Sequence, residues 1–234
     1  MHLIIPDIHT AVQKVDRIIS AITLKFEISL IILLGDYFDQ WNDTVLQNKM
    51  TAEWLRDKLN DPKYVCLVGN HDFGYFYRHL QRCPGHTEQK AYAIRSILTL
   101  YDFKQLKTHF WSNGYLISHA GYSAKFVHPH LGFNEMVTQR IDKEFYEFLE
   151  QRRLHSFAWC GADRGGVNTF SGPLWADWWT FKGIPGVKQI VGHTNMALPN
   201  HDSYGNICLD TGLEYVGLLD AGKLTTLSTR RLCQ

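Results

Sequence analysis

The sequence predicts an α/β fold in one domain, residues 1–234, with a parallel front half and an antiparallel C-terminal part. Three observations carry this prediction. Short apolar runs recur along the chain, bounded by Gly, Asp and Asn. The first three are separated by segments of helical periodicity, and the last few follow one another without such segments. At 234 residues the chain can form one sizeable core, and no repeat, low-complexity tract or linker divides it.

In chain order, "HLIIPD" (2–7), "LIILLGD" (30–36), "YVCLVGN" (64–70), "GYLISHAG" (114–121), "VKQIVGH" (187–193), "NICLDTG" (206–212), "EYVGLLDAG" (214–222) and "KLTTLST" (223–229) read as strands,. Between the first two, Val12, Val15, Ile19, Ile22 and Phe26 recur at spacings of three and four. That is one face of an amphipathic helix, with Thr10 as the expected N-cap. Residues 43–60, 88–100 and 134–150 read as further helices, the last marked by Val137, Ile141, Phe145 and Phe148. Helical crossovers place the first three strands parallel. The C-terminal runs predict an antiparallel meander, with "DAG" before Lys223 as a tight turn,.

Composition narrows the function. Formal net charge is +1, which argues against strong nucleic-acid binding, since that depends on neutralising many phosphates. No apolar run approaches the roughly 20 residues of a membrane span. The five cysteines (Cys66, Cys83, Cys160, Cys208, Cys233) are scattered without CxxC spacing, which dismisses a zinc ribbon and fits a reducing compartment. The N-terminus enters a strand-like run directly, without a basic region or cleavage site. A soluble, cytoplasmic protein with no membrane partner is the expectation.

The chemistry stands at the strand ends. The first strand ends in Asp7-Ile8-His9, the second in Gly35-Asp36-Tyr37-Phe38-Asp39, and the third in Gly69-Asn70-His71-Asp72. The fourth ends in Ser118-His119 and the fifth in Gly192-His193. In an α/β sheet these loops converge on the ligand site. The donors are carboxylates, an amide and imidazoles, with no thiolate. Such a set suits divalent ions such as Mn²⁺, Fe or Zn²⁺.

The ordered set DxH, GDxxD, GNHD, a lone strand-end His and GH resembles the calcineurin-like metallophosphoesterases from residue 5 to about residue 212. The ending "VGHTN…ICLDTGLEYVGLLDAGKLTTL" further resembles the phosphoprotein-phosphatase-like branch. That branch includes small bacterial and phage serine/threonine phosphatases and symmetric diadenosine tetraphosphate hydrolases. The resemblance implies two packed mixed β-sheets flanked by helices, a four-layer sandwich. It also implies two divalent metal ions, Mn²⁺ first among them. Asp7, His9 and Asp36 would hold one, and Asp36, Asn70, His119 and His193 the other, with Asp36 bridging. Many nuclease-like and phosphodiesterase members carry GHxH, whereas this chain has Asn195 at the second position, which implies one ligand fewer.

The implied reaction is hydrolysis of phosphomonoesters by in-line attack of a metal-activated water. His71 would act as general acid and Asp39, the last aspartate of GDxxD, would orient it. Protein phosphatases of this type read GDxxDRG, with the arginine on the phosphate. Here the stretch is GDYFDQW, with Gln40 in that place. Arg164, in the glycine-rich "GADRGGVNTFSGPLWADWW", is the expected replacement, with Arg78 second, and Asn70 is counted with Arg164 among substrate-binding residues. The partner is therefore a phosphorylated substrate, a phosphopeptide or a nucleotide. A dinucleoside polyphosphate is the alternative substrate and a phosphodiester the next, while an inactive scaffold of the same fold is the alternative outside enzymes. Trp175, Trp178 and Trp179 read as core, with a substrate wall as the alternative, and the charges of 142–153 as a solvated helix face. The histidines outside the motifs read as surface or packing residues.

Overall fold

The computed structural model describes residues 1–76, 83–127 and 135–231. Strands β1 (His2–Ile5), β2 (Leu30–Leu33) and β3 (Tyr64–Cys66) run parallel, with His2 opposite Leu30 and Ile31 opposite Tyr64. The crossovers are α1 (Val12–Thr23) and α2 (Val45–Leu59). A second sheet contains β4 (His109–Ser112), β5 (Tyr115–Ser118), β6 (Lys188–Val191), β7 (Asn200–His201) and β8 (Ile207–Cys208), in the order β4-β5-β6-β8-β7. The chain then returns to the first sheet as β9 (Tyr215–Asp220) and β10 (Lys223–Ser228), completing the order β10-β9-β1-β2-β3. Both sheets are mixed, and helices flank them, as the resemblance implied.

Alternation along the central strands explains the layers. Leu3, Ile5, Ile31 and Leu33 pack with Val15, Ile18 and Ile22 of α1 and with Ala52 and Leu55 of α2. Ile4, Ile32 and Val65 point the other way and meet Ile117, Ile190 and Ile207 of the second sheet. Successive side chains of a strand face opposite sides, so a strand buried on both faces must be apolar throughout. Full burial of each such side chain contributes roughly 1.5–3 kcal/mol.

Each expected strand is present but shorter than its apolar run, because the tail of the run leaves the sheet to form a loop. Strands β4 and β7 are additional. The expected meander is corrected: β8 pairs parallel with β6, and β7 folds antiparallel onto its other edge. Only the β9–β10 hairpin remains of it, and its turn has positive φ at both Ala221 (45°) and Gly222 (80°), as a two-residue turn of this hand requires.

The cap expected at Thr10 is also corrected. Thr10 has φ +61°, whereas an N-cap takes an extended conformation,. Its N–H donates to the Tyr37 carbonyl at 2.8 Å, which draws it into the loop beside β2. Ala11 precedes the helix instead, without a side-chain cap. The helix expected over 88–100 divides into α4 (Glu88–Arg95) and α5 (Leu100–Phe103), the second opened by a Thr99 cap. Short α3 (Asn70–Phe73) follows β3, and α6 (Glu135–Gln151) precedes β6. No helix among the described residues is long and apolar enough to cross a membrane.

Candidate metal centre

The C-terminal ends of β1, β2 and β3 open on one edge of the first sheet, and those of β5 and β6 on the adjoining edge of the second. Asp7 and His9 follow β1, Asp36 and Asp39 follow β2, Asn70 and His71 open α3, His119 follows β5 and His193 follows β6. Their loops are tight. His9, Asp36, Asp39 and His193 all have φ between 43° and 68°, a left-handed conformation that side-chain-bearing residues adopt at an energetic cost and that clusters at functional sites. Gly69 and Gly192 leave the room this needs. A Cβ on Gly69 would overlap the Asp36 carboxylate, and one on Gly192 would overlap that of Asp7.

Asp36 is shared by two groups of donors. Asp7, His9 and Asp36 present ligand atoms within 4.8 Å of one another, and so do Asp36, His119 and His193. Hydrogen bonds aim the rings. His9 Nδ1 is 2.6 Å from the Asp39 carbonyl, and His119 Nδ1 is 2.9 Å from that of Leu34. A carbonyl only accepts, so both rings carry their proton on Nδ1 and turn the Nε2 lone pair inward. His119 Nε2 then faces Asn70 Oδ1 at 2.8 Å, His193 Nδ1 at 3.2 Å and Asp36 Oδ1 at 3.5 Å. Asn70 is oriented by Cys83, whose Sγ lies 3.4 Å from Nδ2, which leaves Oδ1 toward the imidazoles. The His193 N–H fixes Asp7 Oδ1 at 3.0 Å, and the His71 N–H fixes Asp36 Oδ1 at 2.9 Å.

These residues fit divalent ions. Lone pairs converge on one another, and His193 Nε2 is buried without a hydrogen-bond partner. Burial, then the Asp210 and Asp36 carboxylates, push the Asp7 carboxyl well up. Burial also pushes Asp36 up, but the imidazoles of His119, His71 and His9 outweigh it and hold it below the usual carboxylate range. Burial lowers His119 and His193, keeping both in the neutral form that ligates metal. Crowded buried carboxylates with neutral imidazoles are the surroundings a cation stabilises.

His71 stands beside this centre with Nδ1 3.1 Å from Asp39 Oδ2. Burial alone would lower its pKa, yet the Asp36 and Asp39 carboxylates outweigh it and the net shift is upward. Two cavities meet at His9, His71, Pro84 and His193. One of about 500 Å³ is walled by Cys160, Arg164 and Trp175. The other, of about 750 Å³, is walled by Gln40, Trp41, Asp43, Lys90, Asn195 and Asp210.

Arg164 therefore reaches the cleft. It is braced there by Asp177 Oδ2, 2.7 Å from Nε, and by the Thr194 hydroxyl, 2.6 Å from Nη2. Arg78 lies outside the described residues, as do His79, His128 and His130. Asn195 donates to Asp210 at 3.3 Å. Of the tryptophans expected in the core, Trp178 is buried. Trp175 packs against the core and also walls the cleft, 5.9 Å from the His193 ring, and Trp179 is 72% exposed.

Four residues of this region were not singled out from the sequence. Asp72 is buried, and its carboxylate accepts from the N–H groups of Asp36, Tyr37 and Gly69 at 2.9, 2.7 and 2.8 Å, which ties the second and third ligand loops together. Asp210 crowds Asp7, and Lys90 and Tyr75 both donate to Asp39 Oδ1. The GNHD motif signalled Asp72 by adjacency alone, and Asp210 closes the strand-like run "NICLDTG"; nothing local signalled Lys90 or Tyr75.

Residues 3–196 match the calcineurin-like phosphoesterase family. The cold-active protein tyrosine phosphatase of a psychrophilic Shewanella has a similar fold, with a TM-score of 0.58 at 15% identity over 97% of this chain and 80% of that one. A candidate diadenosine tetraphosphatase superposes with a TM-score of 0.52 at 14% identity, over 97% of this chain and 92% of the other. At these identities the likeness is one of fold. No curated protein matches the sequence.

Proposed function

The chain belongs to the calcineurin-like phosphoesterase family, a metal-binding hydrolase family, and from that premise we propose that it is a dinuclear phosphomonoesterase. One observation carries the reading. Two groups of metal-ligating side chains share Asp36, and the His71–Asp39 pair opens on the same cleft. In this reading residues 1–234 form one catalytic domain that acts in the cytoplasm, in line with the free thiols of Cys66, Cys83, Cys160 and Cys208.

Asp7, His9 and Asp36 would hold one ion, and Asp36, Asn70, His119 and His193 the second, a set of three oxygen-donor residues and three imidazoles without a thiolate, with Mn²⁺ the first choice and Fe or Zn²⁺ next. Bound there, such ions supply Lewis acidity, offset phosphoryl charge and lower the pKa of water. The protein supplies the rest. Asp39 holds Nδ1 of His71, so the other ring nitrogen is the one offered to the leaving oxygen, which it protonates. Arg164, fixed by Asp177 and Thr194, contacts the phosphate with its remaining donors, beside Asn70.

Charge in the larger cavity favours a monoester over a dinucleoside polyphosphate. Asp39, Asp43 and Asp210 line it, and the three ammonium protons of Lys90 are taken by Asp43, Asp39 and the Gly85 carbonyl. Phosphate groups on the leaving side would meet carboxylates there. The test compares p-nitrophenyl phosphate, a phosphopeptide, bis-p-nitrophenyl phosphate and diadenosine tetraphosphate on one Mn²⁺-loaded preparation. The highest kcat/KM is expected on a monoester. A higher value on the dinucleotide would overturn the substrate assignment, and unchanged rates in Asp36→Asn would overturn the enzyme.

A further inference from the structure

Among the described residues Lys90 is the only buried lysine or arginine. Its position is costly on two counts. It stands in the first turn of α4, behind the Thr87 N-cap, where the helix dipole disfavours a cation,. Its ammonium is also withdrawn from water, and such ion pairs are rarely better for stability than apolar packing. What it gains is three acceptors for three protons. Nζ contacts Asp43 Oδ1, lies 2.8 Å from the Gly85 carbonyl and 3.3 Å from Asp39 Oδ1.

Those acceptors are themselves anchored. Asp43 Oδ2 accepts from Asn48 Nδ2 at 2.6 Å, in the first turn of α2, and from the Gln40 N–H at 3.1 Å. The Tyr75 hydroxyl donates to the same Asp39 oxygen that Lys90 holds. Asp39 Oδ1 is thus taken by two donors, the Lys90 ammonium and the Tyr75 hydroxyl. Only Oδ2 is left to turn toward His71 Nδ1, at 3.1 Å.

We propose that Lys90 is a positioning residue for proton donation: with Tyr75 it clamps Asp39 Oδ1, so that Oδ2 holds the His71 ring in line with the leaving oxygen. This rests on the general-acid role of His71 given above. A lysine that only tied α4 to α2 would need Asp43 alone. The contact with Asp39 is what links that tie to the reaction.

The leaving group separates the two roles. A phenolate needs a proton as its bond to phosphorus breaks, whereas 2,4-dinitrophenolate departs without one. The experiment measures kcat and KM of the Mn²⁺-loaded protein on phenyl, p-nitrophenyl and 2,4-dinitrophenyl phosphate, for wild type, Lys90→Met, Tyr75→Phe, His71→Asn and Lys90→Met/His71→Asn. Loss of aim forfeits part of the roughly 10²–10⁴-fold that a general acid supplies. Lys90→Met should therefore lose about ten- to a hundredfold in kcat on phenyl phosphate and less than about threefold on the dinitrophenyl ester. KM should change little, and Tyr75→Phe should show the same slope with a smaller loss. In the His71→Asn background Lys90→Met should add less than about twofold.

An equal loss across the three esters, no loss, or full additivity with His71→Asn would overturn the proposal and leave Lys90 a structural residue. If Lys90→Met does not fold, Tyr75→Phe decides by the same slope, since it removes one hydroxyl without changing shape. If His71→Asn itself shows no dependence on the leaving group, the general-acid reading fails first and the proposal falls with it.

Discussion

Replacing Asp72 tests whether the ligand loops are set by backbone hydrogen bonds. Its Oδ2 accepts from Asp36 and Gly69, and its Oδ1 from Tyr37. In Asp72→Asn the amide keeps its oxygen where two donors meet and sets its NH₂ against the Tyr37 N–H. One buried bond is lost and a donor is stranded, a cost of about 1–3 kcal/mol. Against this, the substitution removes a charge that burial and the Asp36 carboxylate both disfavour. That relief is largest when the charge of Asp36 is uncompensated, so metal decides the balance. Asp72→Ala strands all three N–H groups and should lose about 3–5 kcal/mol, water entry included. Urea unfolding in Mn²⁺ and in EDTA measures both. With metal the expected order is wild type, Asn, then Ala, and chelation should narrow the gap between wild type and Asn. An Asp72→Asn protein within about 0.5 kcal/mol of wild type in Mn²⁺ would refute the reasoning, because that is the ordinary spread of neutral surface substitutions.

Further outcomes follow from the same geometry. Gly192→Ala drives a Cβ into the Asp7 carboxylate; it should cost about 1–3 kcal/mol, and calorimetric titration with Mn²⁺ should show one site lost or weakened, whereas two unaltered sites would contradict the packing argument. Chelation should lower the melting temperature, because each ion at a hundred times its Kd adds about 2.7 kcal/mol to the folded state; equal melting with and without EDTA would count against ions bound at this buried carboxylate cluster. Ala221→Asn should stabilise the protein by about 0.5–1 kcal/mol, since Ala221 holds φ +45° in the β9–β10 turn, where asparagine is better tolerated,; a fall in melting temperature would contradict it.

What the sequence revealed and what it hid divide along a physical line. Asp7, Asp36, Asn70, His119 and His193 were legible because each closes or follows an apolar strand, and strand order carries their convergence. The two-sheet architecture was legible only through the motifs: periodicity shows that β9 and β10 are strands, not that the chain returns to pair β9 with β1. Strand β4 was missed because "HFWS" pairs through its backbone while His109, Phe110 and Trp111 stay partly or fully accessible and only Ser112 is buried, so no apolar run marks it. Thr10 failed as a cap because a tertiary bond to Tyr37 overrode local preference. The residues that support the centre were hidden for the same reason. Lys90 lies 51 positions from Asp39 and Asp72 lies 36 from Asp36, and their chemistry exists only after α4 and α3 have docked. A sequence shows which side chains converge on a cleft where a strand delivers them. The groups that aim those side chains arrive from other elements and leave no local period, so Lys90 resembles any helix-surface lysine until its ammonium is found between two buried carboxylates.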